Sequence, residues 1–183
     1  FSVHLNFNKE GTVPISSTFF VMDTFVEITI YTADETTAAE ALAKASQVMN
    51  DLSTNYLDRY NPNSEVAKIN SNAGIAPVKV SPPTLAVISF CLSLNKNEFD
   101  IATAPLIDLW SKTKIEKRVP SQKEIQSILP FIQEESIILD KKNSTVYLPM
   151  QGMGIDLGGI AKGYVTEKVA EHLKNYNFSG VLI

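Results

Sequence analysis

Three observations predict an α+β fold. Segments rich in β-branched and aromatic residues mix, without a regular alternation, with segments whose apolar residues recur at helical spacing. Two apolar runs flank Asp140-Lys141-Lys142-Asn143, which reads as a hairpin. At 183 residues, 44% hydrophobic and 20% charged, the chain has enough apolar material for one domain with a core and is too apolar for disorder.

Residues 18–31 are rich in Phe, Val, Ile and Thr and read as strand, interrupted at Asp23 and Thr24. A helix is expected over about 36–55, where Ala38, Leu42, Ala45, Val48, Met49, Leu52 and Tyr56 share one face behind the N-cap candidate Asp34. Asp58 to Asn72 is polar, with a turn at Asn61-Pro62-Asn63. Pro77 to Val80 reads as a short strand. Ser81-Pro82 pairs a cap with proline at the first helical position and opens a helix to about Asn95.

Phe99 to Trp110 is apolar but broken by Asp100, Pro105 and Asp108. Ser121-Gln-Lys-Glu124 is a capping box for a short helix that stops near Pro130. The hairpin strands are expected at Ile137–Leu139 and Thr145–Leu148. A last helix, about 160–175, leads to Gly180-Val-Leu-Ile183, which looks like the start of a strand. The linkers are short and no internal boundary is visible. Because the chain begins at Phe1 and stops in an apolar run, it is expected to be a fragment, trimmed at its N-terminus and incomplete at its C-terminus.

A net charge of −4 gives no general attraction to nucleic acid or anionic membrane. The single cysteine, Cys91, excludes an internal disulfide and sits in an apolar run, so it reads as buried. No run of about 20 apolar residues predicts a transmembrane helix, and no signal peptide is evident. His4 and His172 have no Cys or His neighbours at metal-ligand spacing, and His172 is expected on a helix surface.

The most informative stretch is Gly152-Met-Gly-Ile-Asp-Leu-Gly-Gly-Ile-Ala-Lys-Gly-Tyr164. A lone carboxylate, Asp156, precedes two glycines and a cation, Lys162, where strand-like sequence gives way to helix. Helix starts favour anions and glycines admit close ligands. The pattern is neither a P-loop, since Lys162 precedes Gly163 and Tyr164, nor a Rossmann fingerprint. Two readings stay open: a nucleotide or phosphate site, or a tight turn capped by Asp156.

Other constellations divide in the same way. Met22-Asp23-Thr24 reads as an exposed face or a β-bulge, since a carboxylate in an apolar strand needs a partner. Tyr60…Ser64-Glu65…Asn70 is either a solvated loop or a place where Tyr60 stacks on a planar ring. Phe99-Asp100…Trp110 is either core with an Asx turn or the wall of a pocket.

Taken in order, Met-x-Thr, Tyr-x3-Ser-Glu-x4-Asn, Phe-Asp-x4-Pro-Leu-x3-Trp and the glycine-rich run resemble the FAD:protein FMN transferase family, the ApbE-like flavin transferases. The resemblance runs from about residue 17 to Ile183, leaving residues 1–16 as an N-terminal extension. It implies a T-fold-like arrangement of antiparallel strands backed by long helices. It also implies FAD and magnesium as cofactors, and transfer of FMN through a phosphoester to a Thr or Ser of a target flavoprotein with release of AMP. Some relatives instead hydrolyse FAD to FMN and AMP, and a non-catalytic FAD-binding protein is the reading from a different class.

Carried over by position, the resemblance implies cofactor contacts at Met22, Tyr60, Glu98, Phe99, Asp100, Asp156 and Lys162. It implies a main-chain magnesium ligand at Gly159. Thioether and aromatic surfaces suit a flavin or adenine ring, and a lysine suits a pyrophosphate. The chain departs from the family pattern at Asp23, where glycine is usual, and at Glu167, where aspartate is common.

The remaining metal ligands and the catalytic group are expected beyond Ile183. These residues alone are therefore expected not to hold magnesium tightly, a property that calorimetry reads directly. The resemblance further implies a lipid-anchored protein on the extracytoplasmic face of a bacterial membrane, in the periplasm or at the cell surface.

Overall fold

The computed structural model describes residues 11–94 and 99–183. They form two compact units, one from the N-terminal part to Ser53 together with Lys162–Ile183, the other from Thr54 to Ala161. Both crossing points fall inside helical turns, which is why no Pro- or Gly-rich linker marks them.

The first unit is built on a hairpin. β1 (Val13–Val21) and β2 (Thr24–Thr32) pair antiparallel, with Val21 opposite Thr24 and Phe20 opposite Phe25. β6 (Gly180–Leu182) adds to the free side of β2, giving the order β1-β2-β6. The segment expected as one interrupted strand is thus two strands, and Met22-Asp23 is the reversal between them. Both residues take left-handed backbone, at φ 54° and 57°, as a two-residue turn matching the twist of its strands requires. Asp23 is neither a bulge nor a strand face. Propensity alone does not separate one long strand from two joined by non-glycine residues.

α1 (Glu35–Asp51) packs on β1 and β2. Asp34 caps it as expected, its carboxylate accepting from Thr37 N at 2.9 Å. Ala38, Ala41, Leu42, Ala45 and Met49 are buried on one face, and Ile28 and Ile30 of β2 are fully buried in the same unit. From α6 (Gly158–Leu173), Val165, Val169 and Leu173 are also buried.

A π-helical turn, Leu52–Leu57, leads from the first unit into the second. α2 (Glu65–Ser71) follows, capped by Ser64, whose Oγ accepts from Ala67 N at 3.0 Å. The polar segment expected here thus contains a helix. It is only two turns long, with Val66 and Ile69 as its buried residues, too few to show a period. α3 (Pro82–Cys91) begins where expected and ends at Cys91. Ser81 is its N-cap, but its hydroxyl and N–H both donate to Glu65.

α4 (Ala104–Ile115) replaces the broken apolar stretch. Pro105 lies in its first turn, where a missing N–H costs little, and Asp108 is exposed on the helix while its carboxylate pairs with Arg59. α5 (Gln122–Ile128) carries the complete capping box of Ser121 and Glu124. β3 (Val78–Lys79), β4 (Ile138–Asp140) and β5 (Thr145–Tyr147) form an antiparallel sheet in the order β3-β5-β4. Asp140 ties the expected hairpin, accepting from Lys142 N and Asn143 N. Ile88, Ile101, Leu148, Ile155 and Leu157 are fully buried in this unit.

These antiparallel sheets with packed helices match the α+β class read from the sequence.

Candidate functional site

In the second unit the π-helical turn delivers Arg59 and Tyr60 to one point of the surface. Asp58 Oδ1 accepts from Tyr60 N at 2.8 Å, an Asx turn that sends the chain away from the helix axis. The Arg59 guanidinium lies over the Tyr60 ring, 4.5 Å from its centroid, and Nη2 donates to Tyr60 Oη at 3.2 Å. Its fork is ion-paired with Asp108 of α4. On the other side Nε lies 2.8 Å from Asp156 Oδ2. That N–H meets no acceptor at hydrogen-bond angles, so the approach to Asp156 is a charge contact.

The Arg59 side chain is 7% exposed and Asp156 16%. Burial pulls against the charge on Arg59, but hydrogen bonds to Asp108 and Tyr60 outweigh it and leave the guanidinium pKa above its ordinary value.

Asp156 is held by its surroundings as well as by Arg59. Its N–H donates to Ile101 O at 2.8 Å, and its Oδ1 accepts from Gly158 N at 2.8 Å at the start of α6. The turn-and-cap reading of the glycine-rich run is therefore realised, and the same carboxylate also faces a cation. Asn70 braces the preceding residue, accepting from Ile155 N and donating to Ile155 O. Gly154 sits where a Cβ would come within 3.2 Å of Ala104 Cβ. Arg59, Tyr60, Asn70, Pro105, Asp108 and Gly154 are among the residues lining a cleft of about 590 Å3.

Phe99 lies against the backbone of Gly159, where a Cβ would meet its ring at 3.0 Å. Asp100 Oδ1 accepts from Ala102 N at 2.6 Å, forming the Asx turn that the sequence suggested. Buried Glu134 accepts from Ile101 N at 3.1 Å, fixing the same loop.

In the first unit a smaller pocket of about 260 Å3 is lined by Met22, Thr24, Phe25, Met49, Lys162 and Thr166, among others. It brings together Met22 and Lys162, two of the expected cofactor contacts. Tyr60 and Asp156 are brought together in the second unit. Glu98 lies outside the described residues. His172, expected on a surface, has its Nε2 buried without a hydrogen-bond partner and its ring edge-on to Tyr176 at 5.5 Å.

Arg59 and Asp108 were not among the expected site residues. One signal for Arg59 was available: it is one of only two arginines in the chain and precedes an aromatic residue in a polar segment. Asp108 offered none, because its partner lies 49 residues away. Among the described residues no three His, Cys, Asp or Glu side chains gather as metal ligands. The carboxylates of Asp108 and Asp156 converge on a cation of the chain itself. These side chains do not make a magnesium site by themselves.

A family model described as "ApbE family" matches residues 22–183. An FAD:protein FMN transferase from Klebsiella pneumoniae is 29% identical over 166 residues, covering 89% of this chain and 51% of the relative. One from Treponema pallidum is 26% identical, covering 89% of this chain and 47% of the relative. The crystal structure of the ApbE protein from Thermotoga maritima aligns with a TM-score of 0.78 at 25% identity, over 90% of this chain and 54% of that one. The flavin transferase ApbE from Vibrio cholerae aligns at 0.80 and 20% identity, over 91% and 55%, a likeness of fold. The chain thus spans about half the length of the curated relatives it matches.

Proposed function

The chain belongs to the ApbE family, and from that premise we propose that the protein containing it transfers FMN from FAD to a Thr or Ser hydroxyl of a target flavoprotein, with magnesium, releasing AMP. The observation that carries this reading is the family match over residues 22–183, with curated relatives named for that activity. Two features of the chain support it. An exposed tyrosine ring stands at a cleft of mixed polar and apolar lining, and a thioether and a lysine share a second pocket.

In this reading Tyr60 offers its ring to the cofactor, and Met22 offers a polarisable surface. Lys162 neutralises pyrophosphate charge, and Asp156 accepts hydrogen bonds from polar groups of FAD. The acceptor oxygen forms a bond to the FMN phosphorus as the bond from that phosphorus to the bridging oxygen breaks. AMP departs with the bridging oxygen, and the hydroxyl proton passes to a base. Magnesium, when bound, supplies charge neutralisation at the phosphates. The described side chains do not assemble its ligand set, and the work assigned to them is binding and orientation.

The test is to incubate the full-length protein with FAD, magnesium and a purified acceptor protein. Covalent flavin on the acceptor with stoichiometric AMP is expected. Free FMN and AMP formed without any acceptor would make the protein an FAD pyrophosphatase. Bound but unreacted FAD would make it a binding protein.

We further propose that the full-length protein is held on the extracytoplasmic side of a bacterial membrane by a lipid anchor. Cell fractionation and fatty-acid labelling test this, and a soluble, unlabelled cytoplasmic protein would refute it. No described helix is long and apolar enough to cross a membrane.

A further inference from the structure

The ring of Tyr60 is unusual in being both exposed and held. It is 66% exposed, yet one face is covered by a guanidinium 4.5 Å from its centroid and its hydroxyl receives a hydrogen bond from the same group. That guanidinium is in turn fixed from two directions, by Asp108 on α4 and by Asp156 at the entrance to α6. A lone surface tyrosine would rotate about its side-chain torsions and lose that freedom on stacking with a ligand. Here the loss is met in advance, because the ring is clamped against a planar cation.

The same cation matters to the charge of the cleft. Asp156 and Asp108 would otherwise present two carboxylates beside the ring proposed to meet an anionic cofactor, and like charge there opposes binding. Arg59 cancels part of that field while leaving the ring's outer face available. A lysine at this position would keep the charge but lose the planar stack and the fork.

We infer that Arg59 is a positioning residue for the cofactor: it holds Tyr60 as a preformed stacking platform. The inference rests on the FAD-dependent function proposed above and acts through Tyr60, without Arg59 itself touching the reacting atoms.

The test is a double-mutant cycle in the full-length protein, with FAD binding followed by calorimetry and by quenching of flavin fluorescence. Arg59→Gln is expected to weaken FAD binding about tenfold and Arg59→Lys about threefold, in line with the strengths of charged hydrogen bonds and cation–π contacts. In a Tyr60→Ala background most of the Arg59→Gln effect should disappear, and the quenching that Tyr60 provides should already be lost. Unfolding midpoints of each variant separate this from a general loss of structure.

An Arg59→Gln protein that is folded and binds FAD as tightly as the parent would overturn the inference while leaving the proposed function standing. So would an Arg59→Gln effect of undiminished size in the Tyr60→Ala background. A parent protein that binds no FAD would remove both.

Discussion

Asn70 satisfies both backbone groups of Ile155, 85 residues away in the second unit. The amide oxygen accepts from Ile155 N at 2.8 Å and the amide nitrogen donates to Ile155 O at 2.9 Å. Ile155 is fully buried, so no water replaces either bond. Asn70→Ala is expected to leave two buried backbone groups unpaired and to cost on the order of 3 kcal/mol. Asn70→Asp keeps an acceptor but sets a carboxylate against the Ile155 carbonyl, and should be no better tolerated. Urea denaturation checks both, and a change below about 0.5 kcal/mol for Asn70→Ala would contradict this account.

The Met22-Asp23 turn leads to a prediction of sign. Both residues hold positive φ, which aspartate tolerates and a β-branched residue does not. Asp23→Gly should leave stability unchanged or raise it by about 0.5 kcal/mol, whereas Asp23→Val should lower it by about 1–2 kcal/mol. Thermal unfolding of the two variants reads the difference directly. Equal midpoints would mean that the turn does not persist in solution.

Adjacent residues on α6 should separate binding from stability. Lys162→Ala removes a charge-assisted contact in the proposed function and is expected to weaken FAD binding by about 1.5–3 kcal/mol. Gly163 meets no neighbour within 4 Å of where its Cβ would lie. Gly163→Ala should therefore stabilise the helix by about 0.5–1 kcal/mol on propensity alone. Calorimetry with FAD and a melting curve assign the two effects, and destabilisation by Gly163→Ala would mean that the helix is closely packed there.

Cys91 supplies a pH signature. Its thiol is fully buried, and burial, with a smaller contribution from the charge of Glu134, pushes its pKa from 9.0 up to about 11. The unfolded thiol ionises first, so the unfolded chain binds fewer protons above about pH 9 and stability falls as pH rises to about 11. The expected slope amounts to about 2 kcal/mol across that window. It should vanish in Cys91→Ala when that variant is compared with the parent at each pH. Thiol reagents at neutral pH should react with Cys91 only on unfolding.

The elements legible in the sequence are those whose determinants are close neighbours along the chain. The Asp34 cap, the Ser121–Glu124 box and the Asp140 turn each use partners two or three residues apart, and each is present. α2 and α4 were not legible. One is too short to display a period, and the other contains a proline and an aspartate that read as breakers until their positions in the helix are known.

The sequence by itself determined the α+β class and, through the order of its motifs, the family. Both depend on local residue types and their succession. Only the tertiary structure showed Asp156 bonding to the start of α6 and facing Arg59 at once. It alone revealed the cluster on Arg59, whose members lie at positions 59, 60, 108 and 156. Charge and stacking energies depend on distance in space, and separations of this length along a chain do not report it.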